Sequence, residues 1–188
     1  MSSDTDTDLM ARVVEGDEEA FVALVDTYRE RAVSIAFRYL GDRASAEDLA
    51  QEAFVCVYKR RGRFDPSKDF SPWFYRILTN LCLDQLRREE HRGGHLRLVS
   101  NGEGPQPSAD ETASPAAQIE RDELSHRVQA ALLQLPDRQR MALVLQHYEG
   151  LSYDEIAQAM DCSRGTVDGL LSRARSTLRE RLADFLQK

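Results

Sequence analysis

The chain has 188 residues, 30% of them charged and 7% aromatic, with a formal net charge of −7. That length supports one or two modest cores, and the composition suits a soluble, helix-rich protein. No apolar run is long enough to span a membrane, and the acidic start is unlike a signal peptide, so a cytoplasmic protein without membrane insertion is expected. Cys56, Cys82 and Cys162 are odd in number and far apart. They read as small buried or half-buried residues in a reducing compartment, not as a disulfide framework.

Taken in chain order, residues 1–8 carry Asp4, Asp6 and Asp8 and read as a disordered, solvated acidic tail. A first helical block is expected over residues 9–92. Leu9, Val13 and Val14 begin a short helix that Gly16-Asp17 stops. Phe21, Leu24, Val25 and Tyr28 start an apolar stripe that runs on to Leu40 before Gly41. Ser45 with Asp48 reads as an N-cap and its third position, ahead of Leu49, Ala53 and Val57. Residues 62–69 form a polar loop. Ser71-Pro72 then reads as an N-cap followed by proline at the first helical position, opening a helix that carries Trp73, Ile77, Leu81 and Leu86. Residues 93–117, rich in Gly, Pro, Ser and acids, read as a flexible linker that cannot bury enough surface to fold alone. Residues 118–188 form a second helical block, broken at Leu135-Pro136, with Asp137 expected to cap the next helix. The expected fold is all-α, two small helical domains joined by a flexible linker.

Two segments carry chemistry. Around the loop, Phe64, Phe70, Trp73, Phe74 and Tyr75 lie close to Lys59, Arg60, Arg61, Arg63, Lys68 and Arg76. Aromatic faces stack on unpaired bases while cations follow the backbone, as single-stranded nucleic acid requires. Trp73 and Phe74 taken singly read as residues of a helical core, whereas the cluster together with the basic loop reads as a single-strand contact. Asn80, at helical spacing from Arg76, suits a hydrogen bond to a base or phosphate.

The second segment is residues 151–175. Ser152 with Glu155 makes a capping box. Asp161-Cys162-Ser163 makes a turn with Ser163 as a second cap, and Arg164, Gly165 and Thr166 open the next helix. Two capped helices with a basic second member are the layout of a helix-turn-helix DNA reader. From Arg164 to Arg181 there are five arginines against Asp168 and Glu180, while acids dominate the first thirty residues. Such asymmetry implies weak DNA binding alone and a protein partner that supplies further contacts. His91 and His95 have the spacing of helical metal ligands, but Gly93-Gly94 interrupts that helix and no third ligand is suitably spaced. No phosphate-binding glycine loop, nucleophile elbow or HExxH motif occurs. No metal, no cofactor and no enzymatic activity are expected.

Across nearly the whole chain these residues resemble a bacterial sigma factor of the extracytoplasmic-function class. Gly16-Asp17-Glu18-Glu19-Ala20-Phe21 looks like the family's opening. Residues 48–54 resemble the region-two helix that docks on the β′ clamp helices of core RNA polymerase, which implies contacts from Asp48, Leu49, Gln51, Glu52 and Phe54. Residues 72–88 are similar to the helix that melts and reads the minus-10 element. The resemblance thus implies minus-10 contacts from Arg63, Phe64, Lys68, Trp73, Arg76, Asn80, Arg87 and Arg88. Leu135-Pro136, Arg138-Gln139-Arg140 and residues 148–157 resemble region four. That implies minus-35 contacts from Ser163, Arg164, Gly165, Thr166, Arg173 and Arg175, and a docking site on the β flap. An anti-sigma factor is a further implied partner. The chain departs from the family in the recognition helix, where Asp168-Gly169-Leu170 stands in place of the usual Lys-Ser-Arg; Asp168 would repel phosphate, Gly169 weakens the helix and Leu170 is expected to remove a cation. Two other readings compete: a free-standing helix-turn-helix regulator, which leaves the aromatic loop unexplained, and an interaction module that binds polymerase or anti-sigma factor without reading promoters.

Overall fold

The structure, a computed structural model, is described over residues 5–91 and 115–186. Its elements, in order, are α1 (Asp6–Val14), α2 (Glu18–Leu40), α3 (Arg43–Arg60), a 3₁₀ turn (Arg61–Arg63), α4 (Phe70–His91), α5 (Pro115–Leu133), α6 (Asp137–Glu149), α7 (Tyr153–Ala159) and α8 (Arg164–Leu186). The described residues contain helices and no strand, so the protein is all-α, with α1–α4 in one domain and α5–α8 in a second.

Several helix starts differ from the sequence expectation. The acidic tail does not extend to Asp8: α1 begins at Asp6, capped by Thr5, and Asp8 closes a capping box by accepting from the Thr5 backbone N–H at 3.0 Å. Acids in a first turn satisfy free N–H groups and meet the positive end of the helix dipole, which favours order over a solvated tail. Asp42, not Ser45, caps α3, accepting from the Ser45 N–H at 2.8 Å. Ser71 does not cap α4, which already starts at Phe70; the Phe70 N–H donates instead to the Thr7 hydroxyl of α1 at 3.2 Å. Asp137 does not cap α6: the N-cap is Pro136, which makes no side-chain bond. In the second domain α5 begins at Pro115, inside the expected linker, most of which lies outside the described residues. The capping boxes at Thr5 and Ser152 and the Ser163 cap all follow from residues three apart.

The first domain is built around Tyr28 of α2. Its ring meets Phe70 edge-on at 5.2 Å and lies 5.0 Å from Phe74, and its hydroxyl donates to Asp6 at 2.6 Å. The second domain packs the inward faces of α6 and α8, with Met141, Val144, Leu145, Val167, Leu171 and Ala174 buried. Buried apolar residues of the two domains belong to one continuous cluster.

The domains meet where α4 packs on α7 and at the end of α2. A helix leaves its last carbonyls without intrahelical partners, and here side chains of the second domain supply them. Gln129 donates to the Phe37 and Arg38 carbonyls at 3.3 and 3.2 Å. Arg140, 2% exposed, donates to the Tyr39 carbonyl at 2.6 Å, and also to Leu132, Leu133 and Leu135 at 3.0, 2.9 and 2.9 Å. Gly41 ends α2 in the left-handed region at φ 83°, and a Cβ there would come within 2.7 Å of Leu133. This position needs glycine both for its dihedral and for the close approach of α5.

Candidate nucleic-acid interface

The loop of residues 64–69 is held by Asp65, whose carboxylate accepts from the Ser67 hydroxyl at 2.7 Å and the Ser67 N–H at 3.0 Å. Those bonds hold the Asp65 carboxyl below the usual carboxylate range. The aromatic cluster expected to stack on bases is mostly interior. Phe64 is 6% exposed, with its ring 5.3 Å from Trp73 and 6.2 Å from Phe70. Phe70, Phe74 and Tyr75 are buried around Tyr28. Phe64 therefore supports the loop from beneath and cannot offer its face to a base. Trp73 is the half-buried ring of the group. It heads an outward stripe on α4 at helical spacing, with Arg76, Asn80 and Arg87 exposed along it and Arg88 beside it. Arg63 and Lys68 are exposed at the loop's two ends. One accessible indole among cations, followed by an amide, can hold an unstacked base and its backbone.

In the second domain the turn between α7 and α8 places Asp161 at φ 49°, a left-handed conformation that aspartate tolerates better than most residues. Ser163 accepts from the Thr166 N–H at 3.1 Å and starts α8. Arg164, Gly165, Thr166 and Arg173 are exposed on α8, as a groove-reading helix requires. Arg164 pairs with Asp154 at 3.0 Å, and the Arg173 side chain folds back to donate to the Gly169 carbonyl at 3.0 Å. Arg175 reaches Gln146 of α6 at 2.8 Å and the Tyr153 hydroxyl at 3.5 Å, so its fork ties three helices together. Leu170 is buried, so that departure in the recognition helix serves the core and removes no outward cation.

On α3, Asp48, Gln51 and Glu52 are exposed, whereas Leu49 (5% exposed) faces the core and is not available to a partner. Gln51 and Phe54 line a groove of about 460 Å³ between α2 and α3, with Val25, Arg29, Glu30, Val33, Arg43, Glu47 and Ala50. The α2 side of this groove was missed from sequence. Its signal is there in retrospect: Val25, Arg29 and Val33 fall on one face of α2 at four-residue spacing.

The two candidate nucleic-acid faces confront each other. A cleft of about 1000 Å³ separates the loop and start of α4 from the helix-turn-helix, with Trp73 and Arg76 on one wall and Asp154, Asp161 and Arg164 on the other. Arg76 and Asp161 pair across it at 3.2 Å. Deeper in the domain junction the Tyr75 hydroxyl donates to Glu149 at 2.7 Å, and the Arg38 guanidinium lies 3.6 Å from the Tyr148 ring centre. Burial raises the Glu149 carboxyl above the usual carboxylate range, against the Tyr75 hydrogen bond and the Arg31 and Arg38 charges.

Residues 24–92 match the family Sigma-70 region 2, and residues 125–178 match Sigma-70, region 4. Over 177 residues the chain is 35% identical to the ECF RNA polymerase sigma factor SigW of Bacillus subtilis, covering 93% of this chain and 95% of that protein. Among solved structures it is similar to CnrH in complex with the cytosolic domain of CnrY, with a TM-score of 0.70 and 27% identity, covering 95% of this chain and 97% of that one. The sigma factor RpoE in complex with the anti-sigma factor NepR, from Bartonella quintana, shares the fold at a TM-score of 0.67 and 23% identity, covering 87% and 96%.

Proposed function

Since the chain belongs to the sigma-70 family of transcription initiation factors, among its extracytoplasmic-function members, we propose that the surfaces described above divide its work as follows. The protein binds core RNA polymerase and directs it to promoters. The groove between α2 and α3, with Gln51 and the exposed acids Asp48 and Glu52, takes the β′ clamp helices, while Phe54, 8% exposed and 5.3 Å from the Phe74 ring, forms the floor of that groove and is not an outward contact. The stripe of Trp73, Arg76, Asn80, Arg87 and Arg88, with Arg63 and Lys68 of the loop, melts and holds the minus-10 element. Ser163, Arg164, Gly165, Thr166 and Arg173 on and before α8 meet the minus-35 element, while Arg175 braces that helix. Bond making and breaking belong to the polymerase, and the protein's contribution is binding energy. Extruding a base costs a few kcal/mol, and a half-buried indole flanked by cations offsets that cost.

The two promoter elements lie about 25 base pairs apart, or ~85 Å at 3.4 Å per pair. Trp73 and Arg164 line one cleft, so the domains separate when both elements are engaged on the polymerase. In the closed arrangement the α2–α3 groove shares no residue with that cleft, which leaves polymerase docking available before the domains part. An anti-sigma partner, as bound by the RpoE relative in fold, would act by holding this closed state or covering the groove.

The observation that carries the reading is the pairing of one outward indole stripe on α4 with a capped, basic-ended recognition helix on the same chain. Run-off transcription with purified core polymerase on fragments of the source genome tests it. New discrete start sites are expected with the wild-type protein. Trp73→Ala and Asn80→Ala should each lower their yield at least tenfold while core binding is unchanged, and should be rescued on templates already melted over the minus-10 element. Yields that stay level in both variants would exclude the stripe from promoter opening.

A further inference from the structure

The outward face of α8 is unusual for a helix that meets a polyanion. Val167, Leu170, Leu171 and Ala174 are buried, and at 100° per residue the opposite face is centred on Gly165, Gly169, Ser172 and Ser176. Asp168 flanks this small-residue spine on one side and Arg173 on the other, both exposed. The cations that could neutralise Asp168 are engaged elsewhere: Arg164, one turn earlier, pairs with Asp154, and Arg173 folds onto the Gly169 carbonyl. Among the described residues no hydrogen bond or ion pair reaches the Asp168 carboxylate. An unpaired acid thus projects beside the part of the helix that approaches DNA most closely.

A major groove about 12 Å wide is walled by phosphates that repel a carboxylate, and only base-edge amino groups attract it. Two bases present such donors there. Adenine sets its N6 amino group beside the N7 lone pair, which opposes a group that can only accept. Cytosine's own edge offers the N4 amino group and no acceptor, the neighbouring O6 belonging to the paired guanine. We propose that Asp168 is a specificity-determining residue of upstream promoter recognition, its carboxylate accepting a hydrogen bond from the N4 amino group of a cytosine in the major groove. The spine of Gly165 and Gly169 lets the helix backbone approach near enough for this short side chain to reach a base edge. Gly169 also leaves the space in which Arg173 lies, since a Cβ at Gly169 would stand 3.3 Å from the Arg173 Nη2.

This rests on α8 being the reader of the minus-35 element. The test uses holoenzyme made with full-length protein, and a fragment that it transcribes with its upstream element randomised over nine base pairs. Transcribed templates are sequenced and base preference is scored position by position. The wild type is expected to favour cytosine, on one strand, at one position by roughly 5- to 150-fold, the range of a good base contact. Asp168→Ala should flatten that position alone. Asp168→Asn, which can donate and accept together, should shift it from cytosine towards adenine. Preferences unchanged in Asp168→Ala, with transcription raised evenly over all templates, would mean that the acid only repels phosphate and would overturn the proposal. A wild-type holoenzyme with no preference anywhere in the upstream element would instead remove the reading of α8 on which it rests.

Discussion

Arg140→Ala should lower the stability of the protein by about 3 to 5 kcal/mol, since several buried carbonyls lose their donor at about 1 to 3 kcal/mol each. The guanidinium is buried and donates to four backbone carbonyls, three at the end of α5 and in the turn before α6, and one, Tyr39, at the end of α2. Alanine leaves those acceptors buried without donors and opens a cavity between the domains. Lysine restores the charge, but its three donors on a single nitrogen cannot span acceptors that the planar fork reaches together. Arg140→Lys is therefore expected to recover less than half of the loss. Denaturant titration measures both, and an alanine variant within 1 kcal/mol of the wild type would contradict the role assigned to this residue.

Fixing the cleft shut should abolish promoter-directed transcription. Arg76→Cys and Asp161→Cys, in a background with Cys56→Ser and Cys162→Ser, place two thiols at the ends of the pair that spans the cleft. A short cleavable bismaleimide would then join the two domains. Linked protein is expected still to bind core polymerase through the α2–α3 groove, which lies outside the cleft. Run-off yield should fall to that of core polymerase alone and return when the linker is cut. The physical reason is distance: the two proposed DNA faces cannot stand ~85 Å apart while joined. Linked protein giving half or more of the unlinked yield would show that separation is not required. The ion pair itself is exposed on both sides and contributes little, so the closed state owes its stability to the shared core and to the capped end of α2.

The features legible in the sequence are those decided within one or two helical turns. The Ser152–Glu155 capping box, the Ser163 cap and the Trp73–Arg76–Asn80 stripe each depend on residues three to seven apart, and all are present. These local patterns, in order along the chain, also sufficed to identify the family. Ser45 was the wrong cap for α3 because two polar residues competed and only the backbone path selects Asp42.

What only the tertiary structure decided are bonds between residues far apart in the chain. Thr7 accepts from the Phe70 N–H, 63 residues away, and Arg140 donates to the Tyr39 carbonyl, 101 residues away. No periodicity encodes such pairs, since they arise when helix ends meet after collapse. The same holds for Phe64, Leu49 and Leu170, whose composition and spacing suit a surface role as well as a core one. Their burial is set by which helix packs above them. The closed docking of the two domains belongs to this second class: the sequence determined two helical units with their chemistry, and the packing of α4 on α7 together with the unmatched carbonyls at the end of α2 determined how they meet.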